Sequence, residues 1–145
     1  MLTKLGCVFH HIGVACRDLD LEMATWNKLG YEIEGVDFED PVQRIRGRFL
    51  VGPGPRLELL MPTTTDSPVN GYLQGDVKFY HQAFTAPRFD DTVKAMKDLR
   101  FKMVVSPVPA VAFEGRRIAF FFMPNMFLVE VIEGKKDVSP GCPVV

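Results

Sequence analysis

Two histidines and two glutamates stand out by their neighbours and their spacing. His11 lies in Phe9-His10-His11-Ile12-Gly13-Val14-Ala15, and His81 in Phe79-Tyr80-His81-Gln82-Ala83-Phe84-Thr85. Glu58 lies in Arg56-Leu57-Glu58-Leu59-Leu60-Met61, and Glu130 in Phe127-Leu128-Val129-Glu130-Val131-Ile132. A carboxylate inside an apolar run is costly to bury alone and tends to neutralise. A salt bridge, an exposed edge position or a bound cation would each account for it. Glu58 follows His11 by 47 residues and Glu130 follows His81 by 49. Taken singly, a buried histidine is more often a satisfied core residue, and a strand glutamate is more often exposed. Four such residues in two nearly matching pairs favour the cation. Two imidazoles and two carboxylates form an N2O2 set suited to one divalent metal ion, Zn, Ni, Co, Mn or Fe. Octahedral coordination would leave places for water or substrate oxygens. His10 adjoins His11, but strand alternation places it on the opposite face as a structural residue.

The elements that must bring these residues together repeat. His11 and His81 are 70 residues apart, and the same offset sets Leu19, Met23, Trp26 and Leu29 against Phe89, Val93, Met96 and Leu99. Each copy predicts a strand, about 9–15 and 78–85, then a helix with apolar residues at three- and four-residue spacing. Asp18 suits the cap of the first helix, Asp90 and Asp91 the first turn of the second, and Gly30 the end of the first. Three strands follow each helix: about 31–36, 45–51 and 56–61, then about 102–105, 117–123 and 127–132. The pattern is βαβββ twice, an α+β chain. It predicts one domain over 1–145, with module one about 8–62, a connector 63–77 holding a helical turn near 69–73, module two about 78–133 and a tail 134–145. If the modules pack about a pseudo-twofold axis, the four residues converge.

Arg44, Arg46 and Arg48 alternate on a predicted strand and so share a face, where they could hold a substrate carboxylate or phosphates. A solvated basic face is the plainer reading. Phe113, Phe120, Phe121, Phe122 and Phe127 could line a pocket, although core packing accounts for most of such a cluster. The chain has 145 residues, a formal net charge of -1 and 24% charged residues, a globular balance without the basic excess of a nucleic-acid binder. No apolar run reaches the roughly 20 residues of a bilayer-spanning helix, and the first residues do not read as a signal peptide. Cys7, Cys16 and Cys142 form no CxxC pair; they are read as structural thiols in a reducing, cytoplasmic setting.

In this order and spacing the motifs resemble the vicinal oxygen chelate superfamily, the group of glyoxalase I, methylmalonyl-CoA epimerase, ring-cleaving dioxygenases and bleomycin-resistance proteins. The likeness covers about residues 8 to 133. It is nearest to methylmalonyl-CoA epimerase through His11-Ile12-Gly13-Val14-Ala15, Leu57-Glu58-Leu59-Leu60-Met61-Pro62, Tyr80-His81-Gln82-Ala83-Phe84, Gly115-Arg116-Arg117-Ile118-Ala119-Phe120 and Leu128-Val129-Glu130. The resemblance implies paired βαβββ modules forming a cup-shaped mixed sheet around a metal held by His11, Glu58, His81 and Glu130. It also implies a possible homodimer. One region departs from the epimerase pattern: the strand before Glu58, where that family places a second carboxylate base, reads Gln43-Arg44-Ile45-Arg46-Gly47-Arg48, without an acid.

The chemistry implied is proton transfer next to a carbonyl. A metal ion chelating a carbonyl oxygen stabilises the charge formed when the adjacent C–H is lost. Glu130 is then the expected base and Glu58 the group on the opposite side. The leading expectation is a metal-dependent isomerase or epimerase acting on a small-molecule substrate such as an acyl thioester or acyl-CoA. A glyoxalase I-type lyase acting on hemithioacetals is the alternative enzyme. A non-catalytic, resistance-type small-molecule binder is the alternative outside catalysis.

Overall fold

The computed structural model describes residues 1–135. Cys142 and most of the expected tail lie outside the described residues. Among those residues the chain forms eight strands and three α-helices. The first copy contains β1 (Val8–Ala15), α1 (Leu19–Asn27), β2 (Glu32–Asp40), β3 (Ile45–Val51) and β4 (Leu57–Pro62). A short α2 (Val69–Gln74) follows. The second copy contains β5 (Phe79–Ala86), α3 (Phe89–Asp98), β6 (Lys102–Pro109), β7 (Arg117–Phe122) and β8 (Leu128–Glu133).

The strands make one mixed sheet in the order β2-β3-β4-β1-β5-β8-β7-β6. Each copy contributes four neighbouring strands, and the copies join where β1 pairs antiparallel with β5. The register of this pair carries the symmetry. Ile12 faces Gln82, His11 faces Ala83 and Gly13 faces His81. Applying the 70-residue offset exchanges the last two pairs and leaves the first unchanged. A pseudo-twofold axis therefore passes through Ile12 and Gln82, as the repeat requires.

Three cores hold the sheet. On its outer face, α1 sets Leu19, Met23 and Trp26 against Val14, Leu50, Leu57 and Leu59. Also on that face, α3 sets Phe89, Val93 and Met96 against Phe121, Val129 and Val131. On the inner face, Ile45, Leu60, Tyr80, Phe113, Ile118 and Phe120 pack beneath Val69 and Leu73 of α2. Strand alternation thus divides β4 into Leu57 and Leu59 outside and Glu58 and Leu60 inside, and β8 into Val129 and Val131 outside and Glu130 and Ile132 inside.

The helix ends follow the expected chemistry. The Asp18 side chain accepts a hydrogen bond from the Leu21 N–H at 2.8 Å, and Gly30 takes a left-handed φ of 91°. Leu29 and Leu99 were expected on the packed faces of their helices; both lie past the helix ends and are exposed. Two strands run further than the sequence pattern indicates, β2 to Asp40 and β6 to Pro109. The last strand in the order is β6, so its outer edge demands no ladder donors from Pro107 and Pro109. Among the described residues no helix is long and apolar enough to cross a membrane.

Candidate metal centre

The four sequence-selected residues come from the four central strands. His11 lies on β1 and His81 on β5. Glu58 sits beside Gly13 on β4, and Glu130 beside Ala83 on β8. In a flat sheet, three strand spacings would hold β4 and β8 about 14 Å apart. The curled sheet brings their side chains together: one ligating atom from each of the four residues lies within 4.8 Å of the others. His11 Nε2 is 2.9 Å from His81 Nε2 and 2.9 Å from Glu58 Oε2. Glu130 Oε2 is 3.3 Å from His11 Nε2 and 3.2 Å from His81 Nε2, and Glu58 Oε2 is 3.4 Å from His81 Nε2. None of the four residues is more than 4% exposed.

The donor set fits a divalent ion. Ligand atoms about 2.1 Å from a common centre stand about 3.0 to 3.4 Å apart along octahedral or tetrahedral edges, close to the distances found. Glu130 Oε2 is buried without a hydrogen-bond partner, so a lone pair is free to face a cation. Burial opposes charge on all four groups, but the neighbours outweigh it. The Glu58 and Glu130 carboxylates push His11 and His81 up, and the imidazoles hold both glutamates below the usual carboxylate range.

One glycine and two β-bulges, which the sequence pattern does not reveal, complete the centre. A Cβ on Gly13 would overlap the His81 ring that faces it, so the residue opposite His81 must be the smallest available. Both histidine strands also carry a β-bulge. On β1 the pairing passes from Phe9–Phe84 to His11–Ala83, leaving His10 as the extra residue; on β5 it passes from His81–Gly13 to Phe79–Val14, leaving Tyr80. Each bulge turns two consecutive residues toward the cup. This corrects the placement of His10 on the opposite face. Its ring meets Phe49 and Phe113, the same rings that contact His11, and its Nδ1 is 2.8 Å from His11 Nδ1. Burial, and then the neighbouring His11, lower its pKa to about 4.

A cavity of about 80 Å³ opens over the quartet, with Glu58, His81 and Glu130 in its wall and Tyr80, Phe113 and Phe120 around them. Of the other phenylalanines in the expected cluster, Phe121 is buried in the outer core, Phe122 packs against the inner core and Phe127 is exposed. The three arginines part company. Arg44 is not on the strand; it ends the preceding turn with a left-handed φ of 58° and lines the cavity. Its Nη1 donates to the exposed Asp66 at 2.9 Å, while its Nε is buried without a partner. Arg46 and Arg48 share the outer face. Arg48 grips Asp37 through two hydrogen bonds of 2.7 and 2.8 Å and reaches Asp20 at 2.9 Å, and Arg46 donates to Asp37 at 3.2 Å. Alternation from Arg46 to Arg48 holds, and the turn at Arg44 breaks it.

Asp40 is a further organising residue with no expectation attached. Its buried carboxylate accepts from the Val42 and Gln43 N–H groups at 3.0 and 3.1 Å, and from the Val111 N–H at 3.2 Å. It ties the turn bearing Arg44 to the 3-10 helix Val111–Phe113 of the second copy across the cavity mouth.

Comparison with known proteins agrees with this architecture. The family model of the glyoxalase/bleomycin resistance protein/dioxygenase superfamily matches residues 10–120. No curated protein matches the chain in sequence. Among solved structures, a hypothetical protein from Bacillus halodurans C-125 is 23% identical with a TM-score of 0.77, covering 92% of this chain and 98% of its own. The methylmalonyl-CoA epimerase from Mycobacterium tuberculosis is 21% identical with a TM-score of 0.75, covering 88% and 87%. A variant of the Streptomyces coelicolor methylmalonyl-CoA epimerase, in complex with 2-nitronate-propionyl-CoA, is 26% identical with a TM-score of 0.74, covering 87% and 96%.

Proposed function

Because the chain belongs to the glyoxalase/bleomycin resistance/dioxygenase superfamily, we propose that it is a metal-dependent isomerase or epimerase acting at the carbon next to a carbonyl. The substrate proposed is an acyl thioester such as an acyl-CoA. The observation that carries this reading is the convergence of His11, Glu58, His81 and Glu130 beneath a cavity whose wall contains the last three. The similarity to epimerase structures, one of them bound to methylmalonyl-CoA, supports the substrate class.

A divalent ion held by the quartet would supply Lewis-acid polarisation of the substrate carbonyl, which makes the neighbouring C–H more acidic. His11 and His81 would hold that ion through Nε2. Glu130 takes the proton, and Glu58 returns or receives one from the other side of the β1–β5 pair. Arg44, at the mouth, holds a substrate carboxylate or phosphate, with its exposed partner Asp66 easily exchanged for that group. Arg46 and Arg48 are engaged on the outer face by Asp37 and Asp20, which leaves Arg44 for this role. Tyr80, Phe113 and Phe120 keep water from the reacting carbon. A cavity of about 80 Å³ suits the acid end of such a substrate, leaving a bulky carrier outside.

A glyoxalase I-type lyase is the second reading. Glu58 and Glu130 are the only carboxylates among the described residues lining the cavity, and a pair across the centre suits proton shuttling on a hemithioacetal. Deuterium exchange into the α-carbon of a panel of acyl thioesters, beside turnover of hemithioacetals, separates the readings. Exchange that is lost in Glu130→Gln supports the epimerase or isomerase. Turnover of hemithioacetals alone supports the lyase, and neither activity from metal-loaded protein leaves a small-molecule binder.

A further inference from the structure

We infer that His10 is a positioning residue for the metal centre: it fixes the tautomer of His11 and so turns the His11 Nε2 lone pair toward the ion. The inference rests on the metal reading above and concerns a residue outside the quartet.

The geometry begins with the bulge. Alternation would send His10 to the outer face, but the extra residue on β1 leaves its ring on the side of His11. The two rings stand edge to face, their centroids 5.0 Å apart and their planes at 83°. Phe113 and Phe49 hold the His10 ring from two sides, with centroids at 5.5 and 6.1 Å. The 2.8 Å contact joins Nδ1 to Nδ1. A hydrogen bond between two imidazole nitrogens needs one N–H and one lone pair. His11 Nε2 must be unprotonated to bind a metal, so a neutral His11 carries its proton on Nδ1. His11 Nδ1–H therefore donates, His10 Nδ1 accepts, and His10 keeps its own proton on Nε2.

The second copy supplies an internal contrast. Tyr80 occupies the position equivalent to His10, on an equivalent bulge, and its ring also stands edge to face with the adjacent ligand histidine at 5.0 Å. A phenol ring has no nitrogen at that place, and His81 Nδ1 is buried without a hydrogen-bond partner. Away from the centre, His81 is held by packing, between the space left by Gly13 and the Phe120 ring at 5.2 Å. Only His11 has the outer partner that ligand histidines usually require. The near-symmetric quartet thus contains one oriented imidazole and one packed imidazole.

The test compares wild type with His10→Phe, which keeps a ring but no acceptor, and His10→Asn, whose side-chain oxygen can accept. The chain holds 3 histidines, so the imidazole nitrogens can be assigned by 15N-edited NMR. Zn2+ titration of the same three proteins reads the consequence. We expect a hydrogen-bonded His11 Nδ1–H in wild type, its loss in His10→Phe with Zn2+ affinity about 10- to 100-fold weaker, and recovery of both in His10→Asn. An unprotonated His11 Nδ1 in the zinc-loaded wild type, unchanged Zn2+ affinity in His10→Phe, or an Asn variant as weak as the Phe variant would each overturn the assignment. A wild type that takes up no Zn2+ would contradict the metal reading instead. The nitrogen spectrum would then decide the His10–His11 bond on its own, a shared Nδ1 proton supporting it and none overturning it.

Discussion

Gly13 faces His81 across the central strand pair, and its missing side chain is what lets that ring reach the centre. A methyl group there must displace the ring of a ligand packed on its other side by Phe120. Gly13→Ala should therefore keep the fold, read by circular dichroism, yet lower affinity for Zn2+ or Co2+ at least about tenfold, the size of loss seen when a ligand's support is removed. Ala83, opposite His11, already carries a methyl group, so the two halves tolerate different residues at matching places. The quartet itself was legible because a carboxylate amid aliphatic residues is an anomaly that spacing could then explain. Gly13 was not, because only the cross-strand register reveals what faces it. Cys16 illustrates the ordinary buried thiol. Burial first, and then the nearby Glu22, push it up to about 12 from a usual value of 9.0. Below about pH 9 the thiol is protonated whether the chain is folded or not. Between about 9 and 12 only the unfolded thiol ionises, so stability is lost as pH rises through that window. Iodoacetamide at pH 8 should leave Cys16 unmodified in the native protein and label it in urea, as peptide mass spectrometry would show.

At the scale of elements, the repeat predicts more than it displays in sequence. Arg100 stands 70 residues after Gly30 and takes the same left-handed conformation after its helix, with φ of 61° against 91°. A side chain in that region costs about 1 kcal/mol that glycine avoids. Arg100→Gly should thus raise stability by about 1 kcal/mol, seen as a higher urea midpoint with an unchanged slope. Strand existence and order of type were readable from period and turn residues. The bulges at His10 and Tyr80 were not, since alternation is the default and one extra residue reverses it locally. The same limit applies to Arg44, which looks like a strand residue until the turn anchored by Asp40 is seen. It applies again to Arg46 and Arg48, whose partners Asp37 and Asp20 belong to other elements.

For the molecule as a whole, the quartet divides evenly between two copies whose strands, among the described residues, pair with each other only through β1 and β5 at the centre of the sheet. An ion bound there would cross-link the halves and stabilise the native state by mass action. At a concentration 100 times its Kd the gain is about 2.7 kcal/mol, which raises the melting temperature by roughly 5 to 10 °C for a chain of this size. Scanning calorimetry with metal and then with excess chelator should show the rise and its reversal. The pseudo-twofold arrangement was legible from the 70-residue offset, and the antiparallel β1–β5 register is its direct consequence. The bridge between the copies on the inner side of the sheet was not, because it joins Asp40 to the Val111 N–H of the other copy. Binding of a divalent ion by the quartet is tested by metal content and affinity of the purified protein beside His11→Ala and Glu130→Ala, by elemental analysis and titration. One divalent ion per chain is expected in wild type, lost from both variants. A folded wild type that binds neither Zn, Co, Ni, Mn nor Fe, or variants that keep the ion with unchanged affinity, would contradict it.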